Sequence, residues 1–116
     1  MTTLIITFLL NYLRAEHALP PLQSDPYLTT QAEIRCKTIQ SLSHDGWIGQ
    51  GNVLPDGWLA LGENLAFNYD IVNAMIGFEN SPTHHANNNG PYTHTGSAEC
   101  SNKHGQTIVV LFGIKE

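Results

Sequence analysis

The sequence predicts an α+β domain in which helices cover both faces of a small antiparallel sheet of about three strands. Three observations carry that expectation. Apolar residues recur at helical spacing at the start of the chain and again after Asp25, a run rich in glycine interrupts the middle, and Ile108-Val109-Val110-Leu111-Phe112 is apolar at consecutive positions. A strand that is apolar on both faces has to be covered on both, which places helices above and below it. With 116 residues the chain is expected to form one domain, 1–116, burying roughly two-thirds of its unfolded surface.

Each element has a local reason. Leu4, Ile5, Phe8, Leu9, Tyr12 and Leu13 follow a 3.6-residue period, and the helix they form stops near Leu19-Pro20-Pro21, where proline cannot continue the hydrogen-bond ladder. Asp25 offers a cap and Pro26 the first position of a second helix, which Leu28, Ala32, Arg35, Cys36 and Ile39 carry to about Leu42. Between His44 and Gly62, the residues Gly46, Gly49, Gly51, Pro55 and Gly57 are too many turn formers for a helix, so this is read as a loop with Trp47 and Trp58 turned inward. Leu59–Phe67 reads as a strand. Asp70 caps a third helix carried by Ile71, Val72, Met75 and Ile76, which must end before Pro82; Ser81 then caps a short turn. Asn87-Asn88-Asn89-Gly90-Pro91 reads as a turn, and Thr93–Ser101 and Thr107–Ile114 as a hairpin joined near Asn102–Gly105.

Composition excludes several classes of function. Hydrophobic residues make up 41% and charged residues 13%, which fits an ordered globular chain. The net charge is −5, and the five basic residues (Arg14, Arg35, Lys37, Lys103, Lys115) are scattered, so the phosphate backbone of a nucleic acid has nothing to grip. Leu4–Leu10 is too short to span a bilayer, which takes about twenty apolar residues. It also lacks the basic flank and small-residue cleavage site of a signal peptide, and its helical pattern continues through Leu13. Cys36 and Cys100, 64 positions apart, lack the C-x-x-C spacing of zinc and redox motifs; two buried thiols and one disulfide both remain open.

The candidate site residues come from loops, turns and strands spread along the chain. His44, Glu63 and His84 together supply two imidazoles and a carboxylate, the donor set of several zinc sites with an open position, so zinc or magnesium is a chemically possible cofactor. The structural alternative is a hydrogen-bonded cluster in which Glu63 orients the imidazoles and pins two loops together. Ser81 precedes proline and no G-x-S-x-G elbow occurs, so an N-cap is the expected role rather than a nucleophile. Asn64 is expected to hydrogen-bond loop backbone, His94 to line the same site from a strand start, His17 to sit at a helix C-terminus and His104 to be solvated in a turn. Arg35, on an otherwise apolar helical stripe, must be partly buried and therefore needs a carboxylate such as Glu33 or Glu63.

Taken in order, Asn11-Tyr12-Leu13-Arg14-Ala15-Glu16-His17, Ala32-Glu33-Ile34-Arg35, Ser43-His44-Asp45-Gly46, Gly62-Glu63-Asn64-Leu65-Ala66, Ser81-Pro82-Thr83-His84-His85-Ala86-Asn87, Tyr92-Thr93-His94-Thr95-Gly96 and Val110-Leu111-Phe112-Gly113 resemble the CAP superfamily of cysteine-rich secretory, antigen 5 and pathogenesis-related proteins, in its compact bacterial form. The resemblance implies an α-β-α sandwich with a surface cleft, and an extracellular protein. Larger members carry two histidines and two glutamates in that cleft, often able to hold a divalent metal. His44 and Glu63 match one of each, whereas Ser81 and Pro91 stand at the other two positions, and His84 matches the histidine of a bacterial Ser-Pro-x-His motif. Phe78 and His85 stand where tryptophan and arginine are common.

Two function classes follow. One is a binding module presenting its cleft to a surface glycan, lipid or protein. The other is a hydrolase with water activated at His44, Glu63 and His84; the loss of two tetrad positions weighs more against catalysis than against binding, because catalysis needs tighter placement. The first helix begins almost at Met1 and leaves no room for a targeting segment. A trimmed chain, export by another route, or carriage on a larger particle such as a phage virion would each reconcile that with secretion.

Overall fold

The computed structural model describes residues 2–44, 47 and 54–116, with side chains from Leu4 onward. Asp45, Gly46, Gly49 and Gly51 of the expected loop lie outside the described residues. The elements run α1 (Thr2–Glu16), β1 (Gln23–Ser24), α2 (Pro26–Thr38), β2 (Trp58–Phe67), α3 (Ile71–Asn80), α4 (Pro82–Asn88), β3 (His94–Asn102) and β4 (Gly105–Lys115).

The sheet has the order β1-β3-β4-β2. It contains four strands and is mixed: β2, β3 and β4 are antiparallel, while β1 pairs in parallel with the start of β3. The fourth strand escaped the sequence reading because two polar residues carry no periodicity; backbone bonds alone make it, Gln23 N–H to Thr93 O at 3.0 Å and Asp25 N–H to Thr95 O at 2.9 Å. β4 is central, and its alternation decides the layers. Ile108, Val110 and Phe112 face α1 and α3 in one core with Ile6, Leu10, Met75 and Phe78, while Val109 and Leu111 face α2 in another with Leu28, Ala32, Cys36 and Trp58. The expected α-β-α sandwich is therefore present, with β2 at one edge of the sheet.

Helix boundaries follow caps. α1 ends before Pro20, with Ala18 in the left-handed region (φ 56°) and Leu19 N–H donating to Arg14 O at 3.0 Å. Asp25 accepts from Leu28 N–H at 3.0 Å and Asp70 from Asn73 N–H at 2.8 Å, each capping the helix it was expected to cap. α2 stops at Thr38 rather than near Leu42, because Ile39 turns extended and buries its side chain instead of completing another turn. After Ser81 the chain forms a seven-residue helix, not a short turn, and it takes in Asn87 and Asn88. Ser81 occupies the cap position but its side chain makes no capping bond.

α2 lies against the sheet through Gly96. A Cβ there would fall 2.2 Å from the Thr29 backbone nitrogen, so only glycine lets the helix come this close. The Cys36–Cys100 disulfide ties the other end of α2 to β3. It closes a loop of 64 residues, for which the chain-entropy account gives about 4 kcal/mol of stabilisation. Urea titration of Cys36→Ala/Cys100→Ala should therefore show a loss of about 2–4 kcal/mol; an unchanged midpoint would mean that the link constrains nothing in the unfolded chain.

Candidate functional site

The site lies where edge strand β2 passes between α2 and α4. Strand alternation sends Glu63 toward α2 and Asn64 toward α4, so adjacent residues serve two layers. Glu63 is fully enclosed, and its carboxylate meets Arg35 of α2: Nε donates to Oε2 at 2.9 Å and Nη2 to Oε1 at 3.3 Å. Arg35 also donates to the carbonyl of Ser43, which fixes the chain just before His44. His44 Nδ1 then meets Glu63 Oε1 at 2.8 Å. A carboxylate only accepts, so Nδ1 carries the proton and Nε2 is the basic nitrogen of the neutral ring. The His44 side chain is 56% exposed, so an exposed imidazole stands on an enclosed ion pair.

The other side of β2 is held by amides. Asn64 Nδ2 donates to the His84 carbonyl and to Asn88 Oδ1, both at 3.1 Å, and Asn87 Nδ2 donates to Asn64 Oδ1 at 2.8 Å and to the Glu63 carbonyl at 3.1 Å. Arg14 binds the Asn88 and Gly90 carbonyls at 2.9 Å each, closing the far end of α4. Buried and mutually satisfied, these groups fix α4 against the strand edge. Asn64 thus has the backbone-bonding role expected of it, directed at α4 rather than at a loop. Asn87 and Asn88 lie in α4 rather than in the expected turn; three consecutive asparagines carry the same signal whether they turn the chain or brace it.

His84 projects from α4 against Phe78, with ring centroids 5.0 Å apart. Burial first, and then the charge that His44 can carry, hold its imidazole below the usual 6.5. Beside it, Leu42, Leu65, Phe67, Gly77, Phe78 and Ser81 line a largely apolar cavity of about 270 Å³ that opens at the β2 edge. His44, Glu63, Ser81 and His84 therefore gather at one edge of the sheet. His94 does not contact that cluster: it packs edge-on to Trp58 at 6.1 Å and lines a separate hollow with Pro20, Pro21, Pro91 and Tyr92. His104, expected to be merely solvated, stacks on Phe67 at 4.6 Å. His17 lies beyond the end of α1, and both it and His85 sit 3.5 Å from Glu79, a grouping that sequence spacing does not announce.

The donor set fits a metal poorly. Both oxygens of Glu63 are engaged by Arg35 and His44, so a guanidinium already supplies the positive charge that a cation would bring. Among the described residues no group of three or more His, Cys, Asp or Glu side chains is placed to hold a metal ion.

The order of helices and strands and the α-β-α layering define the class. The family model for the cysteine-rich secretory protein (CAP) family matches residues 7–112, and the chain belongs to that family. Its fold is similar to an outer surface protein from Borrelia burgdorferi (TM-score 0.80, 18% identity, covering 97% of this chain and 91% of that one). It is also similar to an extracellular protein containing an SCP domain from Bacillus anthracis (0.78, 25% identity, 97% and 40%). A cysteine-rich secretory protein from Staphylococcus aureus gives 0.75 at 16% identity, covering 97% and 38%. The chain thus spans most of the first protein and about two-fifths of the other two. No match was found among curated proteins.

The depressed His84 has a thermodynamic consequence. A histidine whose folded pKa lies below its unfolded value binds its proton more readily when unfolded, so stability is full above about 6.5 and falls as pH drops below it. Denaturation curves between about pH 7.5 and 5 should show that loss, and His84→Gln should flatten it; an equal slope in the variant would assign it to another group.

Proposed function

We propose that this domain is an extracellular binding module whose sheet-edge cleft takes an amphiphilic group of a surface component. The cavity beside His84 carries the reading. Its apolar walls suit a hydrocarbon or aromatic moiety, while Asn73, Ser81 and His84 offer polar contacts, the usual composition of a small-ligand site. The extracellular assignment is supported by the disulfide and by the outer surface, extracellular and secretory descriptions of the structurally similar proteins.

A hydrolase built on the same residues has less support. Glu63 is enclosed and both of its oxygens are already engaged by Arg35 and His44, which leaves it poorly placed to act on a water in the cleft. His44 retains a basic nitrogen, but no observation supplies it with a nucleophile.

Gly77 allows a clean test, because a Cβ at this cavity-lining position meets nothing within 4 Å. Gly77→Phe should fill the cavity and keep the fold, gaining only about 0.3–0.5 kcal/mol of helix propensity over glycine. Amide NMR titration with octanoate, phenyl β-glucoside and acetyl-Phe-Ala amide should shift Leu65–Phe67, Phe78 and His84 for at least one probe, and Gly77→Phe should abolish the shifts. Zinc and magnesium added to chelator-treated protein should leave His44 and His84 unshifted. Probe shifts unaffected by Gly77→Phe, or no shifts at all, would refute the cleft as the binding site.

A further inference from the structure

The helix that opens the chain is apolar on both sides. Its inward face, Ile6 and Leu10, is fully buried in the sheet core. The opposite face carries Leu4 (60% exposed), Phe8 (69%) and Tyr12 (61%) at four-residue spacing, with Ile5 beside them. Residues 1–13 contain no charged side chain. A surface helix normally turns a polar face outward, and one that is apolar all round is normally a buried helix. α3 packs beside α1, His17 beyond the end of α1 lies 3.5 Å from Glu79 near the end of α3, and α3 adds exposed Val72 and Ile76 to the same outer layer.

We infer that this face is the interface of a homodimer, formed by α1 against α1 of a second copy with α3 at its margin. Area favours that occupant: the six exposed side chains offer on the order of 600 Å², most of the roughly 800 Å² that each partner brings to a stable interface. Chemistry favours it too. The stripe of Leu4, Phe8 and Tyr12 is a ridge along an i±4 row, the kind that interdigitates with an identical ridge, and a charge-free stripe can meet its own copy across a twofold axis without like-charge repulsion. A bilayer surface fits less well. Residues 1–13 hold no basic side chain, and the net charge of −5 opposes anionic lipid.

Sedimentation of the full chain from about 1 to 500 µM tests the assignment. The wild type should show a reversible monomer–dimer equilibrium. Phe8→Glu and, independently, Tyr12→Glu should weaken it at least about 30-fold, with circular dichroism retained, and with the thermal midpoint retained at concentrations where both proteins are monomeric, because both side chains point to solvent. Leu59→Glu, at an equally exposed apolar residue on β2, should leave it unchanged. A wild type that stays monomeric throughout, a dimer indifferent to both α1 variants, or one equally lost in Leu59→Glu would overturn the proposal. So would flotation of monomeric protein with phosphatidylcholine vesicles that Phe8→Glu abolishes, which would assign the face to lipid.

Discussion

The architecture of the site depends on one enclosed ion pair, Arg35 with Glu63. It joins the covering helix α2 to the edge strand β2, and the same two side chains hold the segment that enters His44: the guanidinium through the Ser43 carbonyl, the carboxylate through the imidazole. A buried pair need not raise net stability over an apolar substitute, because removing both charges from water is costly. Its effect here is to specify geometry. Glu63 has one arrangement in which both oxygens are satisfied, and that arrangement orients His44 outward.

The pair works because the rest of the fold brings α2 and β2 together at short range. Gly96 admits α2 onto the sheet, Asp25 sets where the helix starts, and the disulfide fixes its far end to β3. On the opposite face, Asn64, Asn87 and Asn88 do for α4 what Arg35 does for α2. One strand edge is thereby clamped from both layers, and the cavity beside His84 is lined by β2, α3 and the start of α4. Neutral amides fix one side of the strand edge and an ion pair the other.

Much of this was legible from the residues. The apolar run at Ile108–Phe112 fixed the number of layers, Asp25-Pro26 and Asp70 marked helix starts, and a lone arginine on the apolar stripe of α2 required a buried carboxylate. Other features carry no local signal. β1 exists only through backbone bonds to residues some seventy positions away, and α4 is short enough that Pro82 and three asparagines read equally well as a turn. The motif around His94 suggests a place in the cleft, whereas strand register sends its ring to Trp58. The approach of His17 and His85 to Glu79 likewise depends on how three helices pack, which periodicity within any one of them cannot reveal.

The most direct test of the account is a double-mutant cycle on Arg35→Met and Glu63→Leu, read by chemical denaturation together with the NMR signals of the His44 ring. Each single change should cost about 3–5 kcal/mol by leaving a buried charge without its partner, whereas the double variant should recover a large part of that loss while the His44 ring becomes mobile. Additive losses, or a His44 ring that stays ordered without either residue, would contradict the claim that this ion pair organises the site.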